Sequence, residues 1–448
     1  MKRVLSACLA VLALLAGAVR PVHAQAFDDS TTADAWRLAN GLEVRTRHVP
    51  GMGGVLVSMA FRAGSAYDPA GREGLAELLA ELQFTAAAGA VPARTRAELD
   101  SLRPLGWGSR VSPRLAVFTE CVDRPDLRAQ LAQQAARLKG VHVTPAVLAT
   151  ALASVRRDAG ERTLGRPELA LYSRVRDVAA GTPDDVVITR AAGRGLDALT
   201  PAEAEALLRT EFVPANAALA IVGDLDGLDA RKFVDEAFAA LPAGVARPEA
   251  TIPPLAAGSR RAEWPGLGRS LGVVGIITPP LDDSLHAAFF LSTVFVGGYM
   301  REYAGPVQAP LRSRFQYSVM EEPDLMRVYP KVDDAESDPE SMVGNLANGF
   351  ELLAEQVIAV EMMDAVRARV GWMLGGPIPY ALRAPARQSP WVLEPVASGT
   401  AARAIWKGDV FWSRYRRSFE TTRLSPDNFY RWMRDPAHQA RLLLVPRP

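Results

Sequence analysis

Apolar residues fall into two kinds of run along this chain. Short runs bounded by turn residues, Val55 to Phe61, Val117 to Val122, Ala218 to Val222 and Leu271 to Ile277, predict strands. Asn40-Gly41-Leu42 reads as a turn into an earlier strand, and Arg441 to Val445 as a last one. Other stretches repeat at helical spacing. Leu75, Leu78, Leu79 and Leu82 predict an amphipathic helix directly after the loop from Gly64 to Gly74. Pro125 to Lys139 predicts another, and Thr144-Pro145 supplies an N-cap and N1 proline for a helix to about Glu161. Thr200-Pro201 starts the same pattern again and ends near Phe212, and Asp283 to Val296 is expected to stop at Gly297-Gly298. Ser425-Pro426 opens a closing helix.

The order of these elements repeats: the unit from Ser425 to Val445 mirrors the unit from Thr200 to Asp224. The expected fold class is therefore α+β, as two related domains spanning residues 27–245 and 260–448. Residues 246–259, with Pro248, Pro253, Pro254 and Gly258, read as a linker.

Composition narrows the function classes. With 448 residues, 49% of them hydrophobic, the chain buries real cores. Lys and Arg total 51 against 50 Asp and Glu, a net charge of +1, which argues against nucleic acid as a partner. Residues 1–24 read as a secretory signal: Lys2 and Arg3, an apolar region from Val4 to Val19, and Val22-His23-Ala24 before Gln25. Leu5-Ser6-Ala7-Cys8 resembles a lipoprotein box, but the apolar run follows Cys8 instead of preceding it. A secreted or periplasmic location is expected, with no membrane span after signal removal. Cys121 is then left without a disulfide partner and reads as a half-buried strand residue.

Several segments together resemble the insulinase-like family of inverted-zincin metallopeptidases. They are Gly64-Ser65-Ala66-Tyr67-Asp68-Pro69, then Gly74-Leu75-Ala76-Glu77-Leu78-Leu79-Ala80-Glu81-Leu82-Gln83-Phe84, Phe212-Val213-Pro214-Ala215-Asn216 and Ile221-Val222-Gly223-Asp224. The resemblance covers nearly the whole mature chain. It implies two homologous α/β-sandwich domains, each a sheet covered by helices, and a chamber closed by further units of the same kind.

In that family the second segment carries H-x-x-E-H, two histidines for zinc and a glutamate that activates water. Here Glu77 stands at the first histidine position, Ala80 at the glutamate and Glu81 at the second histidine. Asp158 falls about where the distant ligand belongs. Ala80 accepts no proton, so the general base is missing. Two readings of the acids stand side by side. Glu73, Glu77 and Glu81 recur every four residues, as on a solvated helix face, and Glu77, Glu81 and Asp158 also form a set suited to a hard cation more than to zinc. His48, His142, His286 and His438 are too far apart in sequence for a local two-histidine motif and read as surface or capping residues. No G-x-S-x-G elbow is present, and Arg190 to Gly195 lacks the lysine of a phosphate loop.

The resemblance also implies a substrate-binding Arg/Tyr pair in the second domain, at Leu311-Arg312 and Tyr317-Ser318-Val319, with Arg312 or Arg314 as the partner of Tyr317. The expectation is a secreted, non-catalytic subunit with no cofactor of its own, paired with a zinc-bearing homologue and helping to bind peptide. A stand-alone peptide-binding scaffold and a residual metallopeptidase with carboxylate ligands are the alternatives.

Overall fold

The computed structural model describes residues 33–303, 314–329, 371–376, 389–423 and 426–447, with Arg367 and Ile378. The signal segment at 1–24 and Arg312 lie outside them.

Among the described residues eleven strands form two mixed sheets. The first contains β1 (Ala33–Arg37), β2 (Glu43–His48), β3 (Val55–Phe61), β4 (Trp107–Val111), β5 (Ala116–Val122) and β6 (Ala217–Gly223), in the order β1-β2-β6-β3-β5-β4. The second contains β7 (Gly258–Trp264), β8 (Leu271–Ile277), β9 (Arg314–Ser318), β10 (Glu322–Tyr329) and β11 (Gln439–Pro446), in the order β7-β11-β8-β10-β9. Apart from the extra edge strand β1, the sheets match strand for strand. In each, the first of the matched strands pairs parallel with the last (β2 with β6, β7 with β11), and the last pairs antiparallel with the second (β6 with β3, β11 with β8). Two mixed sheets of one topology thus lie in the two halves of the chain. β7 begins at Gly258, inside the stretch read as linker.

The helices are α1 (Leu75–Thr85), α2 (Arg96–Leu102), α3 (Leu127–Lys139), α4 (Pro145–Gly160), α5 (Pro167–Ala179), α6 (Asp184–Ala192), α7 (Pro201–Glu211), α8 (Ala230–Phe238), α9 (Ser284–Tyr303), α10 (Glu394–Ile405), α11 (Gly408–Thr421) and α12 (Pro426–Arg434). One expectation fails here: α9 runs straight through Gly297-Gly298 to Tyr303. Two internal glycines cost a helix about 1 kcal/mol each, which a helix of this length absorbs.

Period-two side-chain alternation explains how the first sheet is covered on both faces. Leu219 and Ile221 of β6, with Val57, Met59 and Phe61 of β3, join α1, α3, α4, α7 and α8 in the largest core. Ala60, Ala218 and Ala220 point the other way, into a core shared with Ala401, Ala402 and Ile405 of α10. Small residues on that face let a helix from the second half of the sequence lie close against the first sheet. The exchange is reciprocal, because Ala170, Leu171, Val175 and Val178 of α5 pack with Leu442 and Leu444 of the second sheet. A five-residue π-helical turn, Glu161–Gly165, joins α4, which packs beside α1, to the exchanged α5. Each half of the chain therefore completes the core of the other.

Candidate functional site

Helix α1 enters the molecule from Gly74, whose φ of 95° suits glycine, and its first amides are capped from a distance by Asp68. The Oδ2 and Oδ1 atoms of Asp68 accept from the amides of Gly74 and Ala76, both at 2.8 Å. Leu75, Leu78, Leu79 and Leu82 are buried as their spacing requires, and so is Ala80, which is 1% exposed within the main core. A methyl group thus stands at the position that the sequence resemblance gives to the general base, with no titratable atom to take a proton from water.

Glu81 departs from the solvated-face reading. It is 6% exposed, and its carboxylate is held by Arg96, the first residue of α2. Arg96 Nε lies 2.9 and 3.0 Å from the two carboxylate oxygens and Nη2 lies 2.8 Å from Oε2. The third nitrogen, Nη1, donates to Asp158 Oδ2 at 2.6 Å. Glu81 and Asp158, two of the acids that the resemblance places at metal-ligand positions, do come together, and a guanidinium joins them. Its charge is reinforced first by the Glu81 hydrogen bonds and then by Asp158, so the Arg96 pKa rises further above its ordinary value. Arg157 adds a contact of 3.3 Å to the other Asp158 oxygen.

Glu77 lies one turn back from Glu81 and stands apart from this clamp. Its Oε2 is buried without a hydrogen-bond partner among the described residues. Burial and then the charge of Glu77 push the Asp68 carboxyl up to about 7, against the opposing pull of the amides that Asp68 caps. Among the described residues, no three His, Cys, Asp or Glu side chains come close enough to hold one ion. The zinc that the insulinase-like motif implies does not fit this donor set. Glu77, Glu81 and Ala80 stand where the resemblance expects two imidazoles and a base, and the two carboxylates that meet are already engaged by a permanent cation.

Of the four described histidines, three behave as expected. His48 Nδ1 accepts the Leu225 amide at 3.0 Å, His142 Nδ1 lies 3.0 Å from Glu205, and His438 stacks on Trp432 at 3.7 Å. His286 does not: it is fully buried, with Nδ1 2.6 Å from the Tyr415 hydroxyl and Nε2 2.7 Å from the Tyr317 hydroxyl. Cys121 is also more buried than expected, at 1% exposure, and burial pushes its thiol up to about 12. It is an unreactive core residue.

Tyr317 lies on the edge strand β9 with its phenol turned inward. Its hydroxyl donates to Pro323 O at 2.7 Å, and its ring packs against Phe289 and Phe290. The phenol proton is thus engaged inside the core by the Pro323 carbonyl. Arg314 opens the same strand. Tyr317→Phe should lower stability by about 1–2 kcal/mol through the lost buried hydrogen bond. Urea denaturation measures this, and an unchanged midpoint would contradict the packing described.

Beside α1 lies a feature that the sequence did not reveal. β4 is an edge strand joined to β5, with Trp107 packed on Phe84 of α1 at 5.0 Å. The Cys121 amide donates to Gly106 O and the Ser112 amide to Leu115 O, so in this antiparallel register the even-numbered residues of β4 bond to β5. The backbone N–H and C=O groups of Trp107, Ser109 and Val111 therefore face the open edge, unpaired among the described residues. Arg103, just before β4, is anchored by Glu120 at 3.0 Å, and Trp107 Nε1 donates to Asp100 at 2.9 Å. An open strand held this firmly can accept an added extended chain.

No family model matches the sequence, and no curated protein does either. Solved structures do match the fold. A protease from Helicobacter pylori superposes with a TM-score of 0.70 at 14% identity, over 93% of this chain and 100% of its own. An inactive domain of an M16 peptidase from Pseudomonas fluorescens gives 0.65 at 15% identity, over 93% and 98%. The periplasmic protease PqqL from Escherichia coli gives 0.63 at 15% identity, over 93% of this chain but 48% of its own length. The chain carries the fold of the M16, or insulinase-like, peptidases.

Proposed function

We propose that this chain is a non-catalytic M16-fold subunit, exported from the cytoplasm, that pairs with a zinc-bearing homologue and holds extended peptide for it. The carrying observation is Ala80, buried in the core at the position that the sequence resemblance matches to the general base. Losing that base costs on the order of 10²–10⁴ in rate before the missing metal is counted. PqqL supports the pairing, since this chain covers about half of it, at 48%, and 92% of its separately solved first half. One protease there contains two such lengths. Export rests on the basic and apolar pattern of residues 1–24, and among the described residues no helix is long and apolar enough to cross a membrane.

Peptide would be held along β4, whose outward amides and carbonyls at Trp107, Ser109 and Val111 form a template for strand addition. That open edge also favours a second reading, a peptide-holding protein that works without a partner. Ser109→Pro tests both. It removes an outward N–H and leaves the bonds to β5 in place, a substitution that edge strands tolerate. Peptide affinity of the isolated chain, and turnover by the co-purified pair, are expected to fall about tenfold or more, as expected from losing an interaction of about 1.4 kcal/mol. Unchanged affinity and turnover would remove β4 from the account. Failure to co-purify with any zinc-motif homologue, with peptide binding intact, would favour the stand-alone reading.

A further inference from the structure

The disagreement between this site and a metal centre has a positive content. Arg96 reaches its position through a rigid local device: Thr95 caps α2, its hydroxyl accepting the Glu98 amide at 3.3 Å while Glu98 accepts the Thr95 amide at 2.7 Å. The side chain leaves that capped first turn and binds α1 through Glu81 and α4 through Asp158. One cation thus ties three helices together, as a structural metal ion would. Metal entry at Glu81 would have to break a forked, charge-assisted contact and seat a second cation beside a guanidinium that cannot lose its proton.

We propose that Arg96 is the resident cation of this site. It takes the place that a metal ion holds in the fold's peptidases, keeps divalent ions out and sets α2 ahead of the open strand β4. The consequence is a latent site: with Arg96 gone, Glu81 loses its counter-ion and Asp158 keeps only the exposed Arg157, and two carboxylates suit calcium or manganese better than zinc. The proposal rests on the reading that this site has lost its peptidase chemistry, but its readout is metal-dependent stability, which peptide binding at β4 does not affect.

Thermal unfolding of the full chain with EDTA, Mn²⁺, Ca²⁺ or Zn²⁺ is the test. Wild type and Arg96→Lys both keep a cation, and added metal should leave the melting temperature of each unchanged. Arg96→Ala should melt several degrees lower in EDTA and regain part of that loss in millimolar Mn²⁺ or Ca²⁺. The recovery should vanish when Glu81→Gln is added. Should Arg96→Ala not fold, Arg96→Met, which keeps the aliphatic stem, is read in the same way. Stoichiometric metal in the wild-type chain, lost in Glu81→Gln, would overturn the proposal. So would a folded Arg96→Ala or Arg96→Met whose melting ignores metal.

Discussion

Replacing Glu120 with alanine is expected to destabilise the protein by about 3–5 kcal/mol, the cost of breaking a fully buried ion pair. Glu120 lies on β5 with no exposed surface, and its Oε2 accepts from Arg137 Nη1 at 2.9 Å and from the side-chain amides of Gln130 and Gln134. The Arg137 side chain is 3% exposed and lies over the Phe84 ring at 5.2 Å, so it has no route to water once its counter-ion is gone. Arg103 hangs from the other oxygen and leads directly into β4. Loss of Glu120 should therefore also weaken peptide binding at that edge. Replacing the pair together, Glu120→Leu with Arg137→Met, should recover only part of the loss, because it removes both buried charges but leaves the buried Gln130 and Gln134 amides without the Glu120 acceptor. Chemical denaturation of the two single variants and the double variant measures this. A cost below 1 kcal/mol for Glu120→Ala would show that water reaches the network.

Acid should remove about 3 kcal/mol through His286 alone. Burial lowers its pKa from 6.5 to about 4, opposed by the Pro323 carbonyl and by Asp283 and Asp282. The folded protein holds this imidazole neutral between the Tyr317 and Tyr415 hydroxyls, while the unfolded chain takes up a proton below pH 6.5. The unfolded state then binds more protons, so stability rises with pH across this window. The contribution is complete above pH 6.5, declines as pH falls and is gone below about pH 4. In His286→Asn the protein is less stable at neutral pH, and this part of the pH dependence is flat. Stability of the wild type measured from pH 7.5 to 4.5 that shows no such slope would mean that His286 is protonated or solvated in the fold.

The sequence made the scaffold legible where local pattern and burial agree. Val55–Phe61 and Leu271–Ile277 are strands with the expected bounds, and α1 buries its leucines as spaced. Periodicity failed where a distant residue changed the meaning of a position. Glu81 has the spacing of a solvated flank, but Arg96 arrives from the next helix and draws it inside. His286 sits between Leu285 and Ala287 and ahead of Phe289-Phe290, and that apolar company was the available sign of burial. β4 reads Trp-Gly-Ser-Arg-Val, too short and polar to register as a strand, because an edge strand needs one packed face only. The reciprocal exchange of α5 and α10 left no sequence signal, since an exchanged helix shows the same amphipathic pattern as a local one.

Peptidase turnover by the purified mature chain in saturating zinc tests the central claim most directly, with Glu81→Gln run beside it. With Ala80 in the core and Arg96 engaged with Glu81 and Asp158, the chain alone should cleave a broad peptide mixture no faster than the blank, with or without added zinc. Zinc-dependent cleavage that disappears in Glu81→Gln would contradict the account.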